Sequence, residues 1–90
     1  MIARRFLISG LVQGVGFRFF VQRLSGRHQV RGYVRNLADG RVEVVAEGSE
    51  RAVNAFRLDL GAGPAYSRVS GVEEIVIETS GLYSTFRIER

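Results

Sequence analysis

Apolar residues change their period several times along this chain, and each change marks an element. From residue 5 to residue 12, Phe6, Ile8, Gly10 and Val12 alternate with Arg5, Leu7, Ser9 and Leu11. Both series hold apolar side chains, which predicts a strand buried over much of both faces. Gln13, Gly14, Val15 and Gly16 break the pattern with two glycines. Phe17, Phe20, Val21 and Leu24 then recur at helical spacing, with Arg18, Gln22 and Arg23 off that face, so a helix is expected from Phe17 to near His28. Gly26 in its last turn costs about 1 kcal/mol relative to alanine. Residues 30–37 read as a second strand, Ala38, Asp39 and Gly40 as a turn, and residues 41–47 as a third strand. So short an Asp-Gly turn makes those two an antiparallel hairpin. Ser49 is suited to cap a second helix whose apolar face carries Ala52, Val53, Phe56 and Leu60, and Gly61, Ala62, Gly63 and Pro64 stop it. Residues 67–78 are strand-like around Val69, Val72, Ile75 and Ile77, with Gly71 a bulge or bend. Residues 80–84 form a loop, and residues 85–90 a short last strand with Phe86 and Ile88 inward.

The order strand, helix, strand, strand, helix, strand, plus a C-terminal strand, is the split βαβ arrangement. It predicts an α+β, ferredoxin-like domain over residues 1–90: one antiparallel sheet with both helices on one face. The sequence has no repeat of 20–50 residues and no low-complexity segment. This fold hosts many unrelated activities, so function must be sought in particular residues.

Composition narrows the search. Ninety residues with 46% apolar content form one core, burying roughly 60–65% of the unfolded surface. The absence of cysteine excludes a disulfide framework, thiolate zinc sites and cysteine-based phosphatase or protease chemistry. No apolar run approaches the roughly 18 residues that span a bilayer, and no signal peptide is evident. A soluble cytoplasmic protein without membrane association is expected. The net charge of +4 is unevenly placed: residues 1–41 hold eight arginines and one acid, Asp39, whereas residues 42–90 hold five arginines and eight acids. The basic half should attract anions, a small phosphate or a nucleic acid. All thirteen basic residues are arginine. Genome composition is the first explanation for that, since thirteen arginines cannot serve one site.

The stretch Val12-Gln13-Gly14-Val15-Gly16-Phe17-Arg18 lies between a strand and a helix. Two glycines allow a tight turn whose backbone N–H groups converge as an anion nest. The following helix adds unpaired N–H groups and the positive end of its dipole. Arg18, in the first turn, has the fork geometry to donate twice to phosphate oxygens. A Walker A loop needs a lysine, which is absent, and the dinucleotide fingerprint needs a third glycine where Phe19 stands. An ordinary strand-to-helix turn with an exposed arginine fits the spacing equally well. A second notable stretch is Arg31-Gly32-Tyr33-Val34-Arg35-Asn36 before the Asp39-Gly40 turn. Asparagine is poorly suited to a strand end and would also serve simply to start the turn.

These blocks, with Asp39-Gly40-Arg41-Val42-Glu43 and Glu47-Gly48, closely resemble the acylphosphatase family, and the resemblance runs from about Arg5 to Arg90. It implies hydrolysis of a carboxyl–phosphate anhydride to carboxylate and inorganic phosphate. It implies that Arg18 binds the phosphate, that Asn36 positions the attacking water, and that the backbone N–H groups of Gly14, Val15, Gly16, Phe17 and Arg18 hold the phosphoryl oxygens. No metal and no cofactor is implied, because the leaving carboxylate's conjugate acid has a pKa of about 4 and needs no assistance. The expected partners are a small acyl phosphate and inorganic phosphate as product or inhibitor, and the protein is expected to be a monomer. His28, the only histidine, reads as a surface or dipole-complementing residue outside the chemistry. Tyr33 stands where the family usually has tryptophan, and Ala38 replaces a frequent proline. Gln29 stands where relatives often have a helix-ending glycine, so a strained or shifted terminus is expected there.

Two other readings compete. RNA binding would suit the basic half and the fold, and Arg31-Gly32-Tyr33 opens like an RNP1 pattern. Val34-Arg35-Asn36 then lacks the stacking aromatics that bases require. Acylphosphatase-like domains also form part of the large carbamoyltransferase of hydrogenase maturation. Arg90 completes the last expected strand without a linker, which favours the free-standing enzyme.

Overall fold

In a computed structural model of residues 1–90, the chain forms β1 (Ile2–Leu11), α1 (Phe17–His28), β2 (Arg31–Asn36), β3 (Val42–Gly48), α2 (Glu50–Leu60), β4 (Arg68–Ile77) and β5 (Phe86–Glu89). The strands make one sheet in the order β4-β1-β3-β2-β5. β1 is antiparallel to both β3 and β4, and β2 is antiparallel to β3. The expected ferredoxin-like α+β architecture is thus present, with one difference in detail. β5 pairs with β2 in parallel, so the complete sheet is mixed. Geometry forces this choice. β4 ends opposite the start of β1, with Ile77 facing Ala3, and β2 starts at that same end of the sheet. A chain that crosses there to the free edge of β2 must run beside it in the same direction.

Alternation along the strands sorts the two faces. Phe6 and Ile8 of β1, Val34 of β2, and Val42, Val44 and Ala46 of β3 are fully buried. They share one core with Phe17, Val21 and Leu24 of α1 and with Val53, Phe56 and Leu60 of α2. Phe56 bridges β1 and β5, its ring lying 6.3 Å from Phe6 and 6.2 Å from Phe86. On the other face Glu43, whose side chain is only 2% exposed, is paired with Arg5 and Arg35. At the far end of β3, the buried Glu47 carboxylate accepts from Ser80 N, Ser80 Oγ and Gly81 N at 2.6, 2.9 and 3.3 Å, securing the crossing to β5.

The helix ends differ in chemistry. Ser49 caps α2 as expected, its Oγ accepting from Ala52 N at 3.1 Å. α1 has no side-chain cap and no acid in its first turn; Gly16 occupies the cap position at φ 78°. At the other end α1 stops at His28, and Gln29 takes the left-handed conformation at φ 57° with its N–H on Ser25 O. The terminus is therefore unshifted, and the strain sits on Gln29. The bulge foreseen at Gly71 lies beside it: the β1–β4 register shifts between Ser9 and Gly10, leaving Ser70 as the extra residue. No helix is long and apolar enough to cross a membrane.

Candidate active site

β1 delivers the chain to the start of α1 through residues 12–16. Gly14 and Gly16 both have positive φ, 74° and 78°. A Cβ at either would meet no atom within 4 Å, so it is the backbone conformation, not crowding, that calls for glycine here. The turn leaves the amides of Gly14, Val15, Gly16, Phe17 and Arg18 without a backbone carbonyl to donate to. Together with the uncapped N-terminus of α1, these donors concentrate positive potential at one point. Arg18 adds a full charge there and forms no salt bridge.

β2 brings Asn36 to the same end of the sheet. In the strand ladder Asn36 faces Val42, and Val42 faces Ile8 of β1, so the three lie in one row below the loop. The result is a small cavity of about 70 Å³ bordered by Gly14, Gly16, Phe17, Arg18 and Asn36, with Val12 and Phe19 completing it. No carboxylate lines it, and no group of three or more His, Cys, Asp or Glu side chains forms a metal-type cluster anywhere in the chain. Val15, part of the expected cradle, packs its side chain toward the core instead of bordering the cavity; its proposed part is through its amide. Asn36 Oδ1 is fully enclosed and accepts no hydrogen bond, the one buried side-chain polar atom in that condition. An unpaired buried acceptor costs about 1–3 kcal/mol, a cost that a donor reaching it would offset.

Two features of the site escape a reading of sequence alone. Gln13 sends its side-chain amide to the carbonyls of Leu37 and Arg41 at 2.8 and 3.0 Å; its position directly before the glycines was the only hint. Phe19, in sequence merely the residue that spoils a dinucleotide fingerprint, borders the cavity and is 62% exposed. His28 departs from the surface reading. It lies at the seam of the helices, with Nε2 2.7 Å from Asp59 Oδ2 and its ring edge-on to Phe56. It remains far from the loop, at the opposite end of α1. Two larger hollows, about 540 and 200 Å³, also lie at that opposite end around the starts of β2 and β5. They are open depressions that bring together neither the amide cradle nor Asn36, and the chemistry favours the smaller cavity.

Known proteins share this arrangement. The family model described as Acylphosphatase matches residues 4–88. An acylphosphatase of Actinobacillus succinogenes is 48% identical over 90 residues, the match covering all of both chains. The solved acylphosphatase from Bacillus subtilis superposes with a TM-score of 0.96 at 36% identity, again over all of both chains. HypF of T. kodakarensis is similar at a TM-score of 0.88 and 38% identity, across all of this chain and 12% of its own length. Matched in sequence over nearly its whole length and in fold over all of it, the chain belongs to the acylphosphatase family.

Proposed function

We propose that the chain hydrolyses acyl phosphates to carboxylate and inorganic phosphate by in-line attack of water. The observation that carries this reading is the enclosed, unpaired Oδ1 of Asn36 sharing a cavity with Arg18. The phosphoryl group enters the cradle, its oxygens accepting from the amides of Gly14, Val15, Gly16, Phe17 and Arg18 and from the Arg18 guanidinium. A rotation of the Asn36 side chain uncovers the enclosed Oδ1, a water donates one hydrogen to it, and the water's lone pair is thereby aimed at phosphorus. The bond from water oxygen to phosphorus forms as the bond from phosphorus to the acyl oxygen breaks. The water proton passes to a phosphoryl oxygen, and the carboxylate leaves with the bonding pair.

The energetic demand on the protein is modest. Phosphoryl transfer through a loose transition state needs positioning and stabilisation of charge on the equatorial oxygens. The departing carboxylate has a conjugate acid of pKa about 4, so neither a general acid nor a metal is required to expel it. Every proposed site residue comes from one chain, and the reading calls for a monomer. Inorganic phosphate leaves from the same cradle and should compete with substrate for it.

The test is hydrolysis of benzoyl phosphate in the presence of a chelator by the wild type, Arg18→Ala and Asn36→Ala. The wild type should be active and competitively inhibited by phosphate, and each variant should lose about two or more orders of magnitude in kcat/KM. Full activity in Asn36→Ala would remove the water-positioning role, and a strict Mg²⁺ requirement would overturn the mechanism. The likeness to a stretch of the much longer HypF favours one second reading, a domain specialised for carbamoyl phosphate. Preference for carbamoyl over benzoyl phosphate in kcat/KM would select it.

A further inference from the structure

We infer that Gln13 is a positioning residue that sets the separation between the phosphate cradle and the water-holding amide of Asn36. The inference rests on the hydrolase reading above. The cradle follows β1 and Asn36 ends β2, yet these strands are not neighbours, because β3 lies between them. No ladder hydrogen bond therefore ties one half of the site to the other. Gln13 spans the gap. Its Nε2 donates to Leu37 O at 2.8 Å and to Arg41 O at 3.0 Å, which uses both of its hydrogens. Those carbonyls form the neck of the β2–β3 hairpin, where Arg41 O also accepts from Leu37 N at 2.8 Å.

Gln13 immediately precedes Gly14, and Leu37 immediately follows Asn36. The side chain is thus a strut running from the residue before the cradle to the residue beyond the water holder. The cradle end is a loop with two left-handed glycines, whereas the hairpin end is already closed by Leu37 N on Arg41 O and Gly40 N on Leu37 O, so the strut ties the loop to a fixed point. Displacing a reacting group by about 1 Å can cost on the order of a hundredfold in rate. Phosphate affinity depends on the cradle and Arg18, whereas water placement depends on the strut. Loss of Gln13 should separate the two.

The experiment compares the wild type, Gln13→Met and Gln13→Glu, using benzoyl phosphate as substrate and inorganic phosphate as inhibitor. Methionine keeps the length and lacks the donors. In Gln13→Met, kcat should fall about tenfold to a hundredfold while the phosphate Ki stays within about twofold. Glutamate donates only when protonated, so Gln13→Glu should regain part of its kcat as the pH is lowered, a recovery absent from Gln13→Met. In NMR titrations with phosphate, the amides of residues 14–18 should shift in the wild type and in Gln13→Met, but the Asn36 side-chain amide only in the wild type. Unchanged kcat in Gln13→Met overturns the inference while leaving the hydrolase reading intact. So does a joint loss of kcat, phosphate affinity and Tm in both variants without recovery at low pH, since that would make the contact merely structural. A wild type inert toward benzoyl phosphate overturns the hydrolase reading and the strut with it.

Discussion

Asn36 closes a strand with its Oδ1 enclosed and without a hydrogen-bond donor. Removing the side chain deletes an acceptor whose desolvation is uncompensated, at a cost of about 1–3 kcal/mol to the fold, against a smaller loss of packing. We expect Asn36→Ala to melt at or above the wild-type temperature, by up to about 5 °C, although its kcat/KM should fall by about two or more orders of magnitude. Differential scanning calorimetry without phosphate decides this, and a clear fall in Tm would make Asn36 a structural residue. Asparagine at a strand end, next to an Asp-Gly turn, was legible as unusual. That its oxygen would lie unpaired, and that the residue would share a cavity with Arg18, was not, because that cavity joins β2 to the loop after β1 across an intervening strand.

Among the elements, the two helices show opposite treatment of their starts. α2 has a serine cap and Glu50 in its first turn, whereas α1 has neither and carries Arg18 there. With glycine at the cap, the missing side-chain acceptor forfeits about a few tenths of a kcal/mol, and a cation near it is unfavourable to the helix taken alone. Both losses become assets if an anion binds. The C-terminal end of α1 serves no such purpose, and there Gln29 holds a left-handed conformation at φ 57°. Replacing it by glycine removes a steric cost of about 1–2 kcal/mol and adds some unfolded-state entropy. Gln29→Gly should therefore stabilise the protein by about 0.5–1 kcal/mol in urea unfolding with kcat/KM unchanged; destabilisation would show that the Gln29 side chain contributes contacts that outweigh the strain. Element types and order were legible because periodicity and turn residues act locally: Phe17, Val21 and Leu24, or Val53, Phe56 and Leu60, need no distant partner to declare a helix. The direction of β5 was not legible, since it depends on which end of the sheet residues 78–85 cross, and the Glu47 anchor that secures the crossing joins residues more than thirty positions apart.

For the molecule as a whole, the sheet divides its labour by face and by end. One face holds the apolar core, the cradle end holds the proposed site, and the opposite face is held by a charged group that the proposed mechanism does not use. Glu43 lies buried between Arg5 and Arg35. Burial alone would raise its carboxyl pKa, but hydrogen bonds from the two guanidinium groups, aided by their charges, outweigh it and hold the value below the ordinary 4.5. The same neighbourhood raises the Tyr33 phenol, through burial and then the negative charge of Glu43, so Tyr33 stays neutral in the acid range and takes no part in titration there. A carboxyl depressed in the folded state contributes stability that is complete above its unfolded pKa of about 4.5 and is lost as the pH falls through the lower folded value. Glu43→Gln removes that contribution and leaves two arginines facing a neutral amide. At pH 7 the variant should melt about 5–10 °C below the wild type. The difference should narrow as the pH falls below about 4.5 and become smallest once Glu43 is protonated in the folded wild type. Asp39, whose carboxyl is also held low, first by the backbone N–H of Arg41, is common to both proteins and cancels from the comparison. Melting curves of the pair between pH 2.5 and 7 measure the gap directly. A gap independent of pH would mean that Glu43 acts through shape and packing; one that closes in acid would show that the charge it buries is what braces this face of the sheet.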